Sequence, residues 1–226
     1  MPNINRPSVL VIGASGLTGA ETIRQLAKSP SKPHIHAFCR TPSKLKDAAV
    51  SHLVETVQKG NARDAADLDR ALQETQAKVV IISVGNGESV SKNNIRQANA
   101  QALAKVLPKY PLTKTIVVSS TGASSSRIIV GFGIGSLISY HLRHVLKDHT
   151  EQEKALIPFT SRTAIVRATA LTDGQPTGHL EEFGDKDKGP SIKTDRSDLA
   201  KWIVNQVESD IPKAGSAVNV TGVAKQ

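Results

Sequence analysis

Aromatic residues are nearly missing from this chain: four Phe, two Tyr and one Trp make up 3% of its 226 residues. A protein that stacks bases on aromatic platforms would have little to build with. Cysteine is scarcer still. The single Cys39 excludes an intrachain disulfide and fits a reducing compartment. No apolar run is long enough to span a bilayer, since the longest, 128–139, is short and interrupted by glycine. The first seven residues, Met-Pro-Asn-Ile-Asn-Arg-Pro, lack the apolar segment of a signal peptide. A cytoplasmic protein with no membrane partner is therefore expected. Basic residues are plentiful, 29 against 20 acidic for a formal charge of +9, but they form no run of five or more. Without a concentrated stripe no nucleic-acid partner is expected, whereas a scattered positive balance suits a polyphosphate ligand.

At 38% hydrophobic and 22% charged, the composition is that of an ordinary globule large enough for a substantial core. Ser8-Val9-Leu10-Val11-Ile12 is short and apolar throughout, as a strand covered on both faces must be. Apolar positions then recur at helical spacing (Ala20, Ile23, Leu26, Ala27) until Pro30 and Pro33, and 34–39 supplies a second strand. Further strands are expected at 52–57, 78–84, 115–119, 163–167 and 217–221. Helices are expected at 65–74, 89–107, 135–156 and 195–208. This alternation predicts a doubly wound parallel α/β sheet spanning 1–226 as one domain. Segments 122–140 and 174–190 fall where such a fold carries lids, the second rich enough in Gly, Asp and Lys to read as a mobile loop.

The first strand-to-helix turn, Gly13-Ala14-Ser15-Gly16-Leu17-Thr18-Gly19, carries the pattern of a dinucleotide cradle. Gly13 allows a tight exit from the strand, Gly16 close approach of the pyrophosphate, and Gly19 close packing of helix on strand. The helix N-terminus offers N–H donors and partial positive charge. At the end of the second strand, NAD selectivity usually requires an acid for the ribose 2′-hydroxyl. Here the residues are Cys39-Arg40-Thr41-Pro42-Ser43-Lys44. Arg40 can stack on adenine and pair with a 2′-phosphate, with Ser43 and Lys44 assisting, so the expected cofactor is NADP.

On these residues the chain resembles the atypical short-chain dehydrogenase/reductase family, the branch with the NmrA-like and biliverdin-reductase-B-like proteins. The resemblance runs through nearly the whole chain. It implies adenine contacts from Asn61 and Ala62 within Gly-Asn-Ala-Arg-Asp at 60–64, and cofactor-edge positions at Val84 and Gly85. It implies active-site positions at Ser119 and Ser120, beside Thr121, and a nicotinamide-flanking strand and loop at 166–172 that includes Ala168, Thr169 and Ala170. The helix start near 192–200 is similar to the family's Ile-x-Arg-x-Asp-Leu-Ala.

One departure stands out. Reductases and epimerases of the family often carry Tyr-x-x-x-Lys on the helix after the fifth strand, where Tyr transfers a proton and Lys lowers its pKa and holds the ribose. Aligning Glu153-Lys154-Ala155-Leu156 with the family's Glu-x-x-Leu puts Val145 and His149 at those positions, and the alternative frame gives Tyr140-x-x-x-His144. Neither restores the pair. Helical spacing sets His149 on one stripe with Leu142, Val145, Leu146 and Glu153, facing the sheet, which makes it a candidate ribose contact or proton donor. Tyr140 and Ser120 are the other candidate catalytic groups. His141, His144 and Asp148 share a second stripe, but no further ligand cluster supports a metal, and none is expected. The glycine-spaced apolar stretch 128–134 points to an apolar substrate, a lid or a homodimer contact. Lys186 and Lys188 read as solvated.

Three functions follow. The first is an NADP(H)-dependent reductase of a small apolar carbonyl, quinone or flavin-like substrate, in which solvent can donate the proton. The others are a redox-neutral isomerase or dehydratase, and a non-catalytic NADP(H)-sensing regulator of the NmrA type.

Overall fold

The computed structural model describes residues 6–47, 49–87, 89–131 and 133–223. Residues 1–5, which bear on the leader reading, and Phe132 of the apolar stretch lie outside the described residues. The strands are β1 (Ser8–Ile12), β2 (His34–Cys39), β3 (Thr56–Lys59), β4 (Val79–Ile82), β5 (Lys114–Ser120), β6 (Thr163–Ala168), β7 (Ala170–Thr172), β8 (Leu180–Phe183), β9 (Lys193–Asp195) and β10 (Ala217–Gly222). The helices are α1 (Leu17–Lys28), α2 (Ser43–Asp47), α3 (Ala65–Thr75), α4 (Ile95–Val106), α5 (Ile134–His141), α6 (Arg143–Ala155) and α7 (Arg196–Glu208).

Eight strands form one sheet in the order β3-β2-β1-β4-β5-β6-β10-β8, all parallel except β8, which runs antiparallel to β10. The apolar runs of β1 and β4 make sense in this setting. Val9 to Ile12 and Val80 to Ile82 are fully buried because helices cover both faces. On one face α1 and α7 contribute Ile23, Leu26, Leu199 and Ile203 to a core. On the other, α3 and α4 contribute Leu68, Leu72, Ala100 and Leu103, with α6 packed against α4. Strand order reverses between β1 and β4, and this switch point opens a crevice at the strands' carboxyl ends.

Several expected boundaries are corrected. The helix expected at 135–156 breaks at Leu142, whose backbone (φ −87°, ψ 5°) leaves the helical region. Two helices result because α5 borders an apolar pocket while α6 packs on α4, and one straight rod cannot do both. The expected strand 52–57 begins later, as β3. Its pairing starts only where the Glu55 N–H donates to the Ile35 carbonyl, and a short 3-10 turn occupies Ser51–Leu53.

The helix expected from 89 starts at Ile95, where Asp148 of α6 accepts from the N–H groups of Arg96 (3.2 Å) and Gln97 (2.9 Å) and so caps α4. The residues before it, 83–87, are left as cleft wall. The segment 174–190 holds the edge strand β8 instead of being a free loop. Asp198 ties down its start by accepting from the N–H groups of Thr177 (2.7 Å) and Gly178 (3.1 Å). A small second sheet pairs β7 with β9.

A candidate dinucleotide cleft

The β1–α1 turn is built around glycine for reasons of space. Gly13 has φ +86°, and a Cβ there would stand 2.7 Å from the Ser83 carbonyl oxygen. At Gly19 a Cβ would come within 2.3 Å of the Gly13 carbonyl oxygen, so this residue sits inside the helix–strand contact and off the cleft wall. No side chain caps α1. Its amino end therefore faces the crevice with N–H groups and dipole available to an anion.

Two connected cavities run from this turn. The first, about 540 Å³, extends towards the ends of β2 and β3 and is walled by Gly13, Ser15 and Gly16, by Arg40 and Lys44, and by Asn61 and Ala62. Arg63 also lines it, and among the described residues no acidic one does. Burial pushes the Cys39 thiol on this wall above its ordinary value, so it stays protonated at neutral pH. Ser43 is exposed on the first turn of α2 and does not line the cavity. The second, about 380 Å³, passes Leu17 and Thr18, shares Val84 and Gly85 with the first, and ends among Ser119, Ser120, His149, Ala168, Thr169 and Ala170. Every expected cofactor contact except Ser43 and Gly19 thus lines one continuous cleft.

The hydroxyl groups at its far end are already engaged. Ser119 Oγ donates to Glu153 Oε1 (2.6 Å), Ser120 Oγ to the Thr121 carbonyl (3.1 Å), and Thr169 Oγ1 pairs with Thr194 Oγ1 (2.8 Å). His149 is buried, and its Nδ1 lies 3.3 Å from Gln152 Oε1. Burial above all, with the charge of Arg96 next, lowers its pKa to about 3. The imidazole is neutral at physiological pH, so the expected proton-donor role would have to be filled without an imidazolium. Tyr140 is not brought to the cleft. It is 69% exposed on α5 and stacks under Arg143, 4.4 Å from ring centroid to guanidinium carbon. Of the stripe His141, His144 and Asp148, Asp148 turns inward to α4. Among the described residues no group of three or more His, Cys, Asp or Glu is placed to hold a metal.

Two features were not singled out in the sequence. Arg96 lines the second cavity, and a buried network supports its floor. In the network Arg167 donates to both Glu153 oxygens (3.0 and 2.7 Å) and to Asp185 (2.8 Å), and Asp185 also accepts from Ser125 and Asn219. Burial opposes the Arg167 charge, yet Glu153 and Asp185 hold its pKa above the ordinary value. Burial likewise opposes the Asp185 charge, and the hydrogen bonds from Ser125, Asn219 and Arg167 outweigh it and hold the carboxyl low. The available signal for Arg96 was a cation in the first turn of a helix, where the dipole disfavours it unless an acid is near.

Beyond Ser120, Thr169 and Ala170 a third, smaller cavity of about 170 Å³ opens between Ile128, Ile138 and Leu142 on one side and Phe183 and Ile192 on the other. The expected lid 122–140 supplies its first wall. A Cβ at Gly135 would stand 2.1 Å from the Ile128 carbonyl oxygen, so α5 lies directly on that segment.

Comparison with known structures places this architecture. A short-chain dehydrogenase/reductase from Veillonella parvula superposes with a TM-score of 0.77 at 16% identity, over 96% of this chain and 94% of that one. The form in complex with NADP gives 0.75 at 16% identity, over 95% and 94%. An anaerobilin reductase from Escherichia coli O157:H7 gives 0.71 at 18% identity, over 96% and 98%. At these identities the likeness is one of fold, a Rossmann fold. A search of curated proteins returns no match. The model of the NAD(P)H-binding family matches residues 13–210, which take in the glycine turn and both parts of the cleft, and the chain belongs to that family.

Proposed function

We propose that the protein is an NADP(H)-dependent reductase whose acceptor is a small apolar carbonyl, quinone or flavin-like molecule. The observation that carries this reading is the apolar cavity of Ile128, Ile138, Leu142, Phe183 and Ile192. It meets the cleft at Ser120, Thr169 and Ala170. Concave apolar surface joined to a few polar groups is what a substrate site requires.

The residues fit the cofactor. The uncapped amino end of α1 and the close-packed Gly13 and Gly19 suit a pyrophosphate. Arg40 and Lys44, with no acid among the described residues of that wall, suit a 2′-phosphate. When bound, NADPH supplies the hydride. The chain's own part is orientation and exclusion of water. Leu17, Val84 and Ala168 border the cleft between the phosphate turn and the substrate cavity, and Ile138 and Leu142 face the acceptor. Since His149 is neutral and Tyr140 faces solvent, the proton comes from water or is relayed by the Ser120 hydroxyl.

The test is NADPH oxidation against a panel of quinones, aldehydes and flavins, alongside Ile138→Asp. The proposal expects turnover with an apolar acceptor, and expects Ile138→Asp to abolish it while leaving NADPH affinity unchanged. NADPH binding with no turnover across the panel would overturn the reductase and favour the sensing regulator or a redox-neutral enzyme.

A further inference from the structure

Arg96 lies in the first turn of α4 and is 8% exposed, yet two of its three guanidinium nitrogens have no partner among the described residues. Nη1 donates to Asp148 at 3.3 Å, and Nε is buried without any acceptor. Nη2 stands against Gly85, where a Cβ would lie 3.0 Å away, and donates to no described residue. A buried donor without an acceptor is costly and calls for one from outside the chain. The cavity wall it forms runs from the glycine turn at Gly16 and Leu17 to Ser119 and His149, the stretch that the proposed cofactor would span between its pyrophosphate and its nicotinamide.

We propose that Arg96 is a positioning residue for the nicotinamide ribose, donating from its Nη2 edge to the sugar's hydroxyl oxygens in place of the lysine that α6 lacks. The inference rests on the cleft holding NADP(H), as argued above. Three observations separate the ribose from other ligands. Arg96 does not border the apolar substrate cavity, so it is not aimed at the acceptor. The pyrophosphate is already served by the amino end of α1. Asp148 offsets the Arg96 charge, so the site presents oriented N–H donors with little net charge, which suits neutral hydroxyls better than a carboxylate or phosphate. His149 completes the match. With Gln152 Oε1 turned to His149 Nδ1, a proton on Nδ1 would leave Nε2 as an acceptor for a sugar hydroxyl.

The test compares two probes by titration calorimetry on the full chain: NADPH, and adenosine 2′,5′-bisphosphate, which carries the adenine half alone. Arg96→Met is expected to weaken NADPH about 10- to 100-fold, the range for a hydrogen bond from a charged donor, and to leave the bisphosphate within about twofold. Arg96→Lys should recover part of the loss. Should Arg96→Met fail to fold with Asp148 left unpaired, Arg96→Met/Asp148→Asn removes both charges while the new side-chain amide can still accept from the Gln97 N–H, and the same comparison applies. Unchanged NADPH affinity, or equal loss of both probes in a folded variant, would overturn the proposal. A wild type that binds neither probe would instead overturn the cofactor reading beneath it.

Discussion

Arg167→Met offers the sharpest test of how the cleft floor is held. Glu153 is 5% exposed and receives three hydrogen bonds, two from Arg167 and one from Ser119. Removing Arg167 leaves a buried carboxylate with the Ser119 hydroxyl alone. Breaking one side of such a pair costs about 3–5 kcal/mol, most of it the penalty on the charge left behind. For a chain of this length about 2–4 °C of Tm accompanies each kcal/mol, so a fall of about 6–20 °C is expected by calorimetry.

A second substitution should carry the cause. Glu153→Gln added to Arg167→Met should restore most of the loss at neutral pH. A single variant within about 1 kcal/mol of wild type in urea unfolding, or a double variant no better than the single, would refute the reasoning.

Acid should act on His149 in the opposite sense from a salt-bridged histidine. Its folded pKa of about 3 lies below the unfolded value of about 6.5, so neutral burial carries no titration penalty above pH 6.5. Stability is then lost as pH falls towards 3, with Arg96 of α4 and Gln152 of α6 the groups that face the ring. His149→Gln should flatten that part of the curve, and an unchanged acid slope would count against it. Gly19→Ala should cost at least about 2 kcal/mol in urea unfolding, because its Cβ meets backbone at 2.3 Å that cannot move without opening the turn. A cost below about 0.5 kcal/mol would show that the turn yields.

Much of the fold could be read from residue order. The apolar runs of β1 and β4 required cover on both faces, and the glycines at 13 and 19 located the turn because each answers a distinct steric demand. Boundaries set by distant partners could not be read. The start of α4 depends on Asp148, 52 residues away along the chain from Arg96, and the break at Leu142 depends on what α5 and α6 each pack against. The edge strand β8 escaped notice because Leu180-Glu181-Glu182-Phe183 needs neither alternation nor an apolar run when one side meets solvent. In the site, spacing led correctly to a buried His149 but could not reveal that burial keeps it neutral. Tyr140 shares its sequence neighbourhood and still points outward, because the break after α5 turns that helix away.

A cleft for NADP(H) is proposed above, with the 2′-phosphate met by Arg40 and Lys44. Titration of the protein with NADPH and NADH, repeated on Arg40→Ala, tests it most directly. NADPH is expected to bind at least about tenfold tighter than NADH, with that ratio falling in Arg40→Ala because NADPH loses both the 2′-phosphate pairing and the adenine stacking while NADH loses the stacking alone. Equal affinity for the two cofactors, or binding of neither, would contradict it.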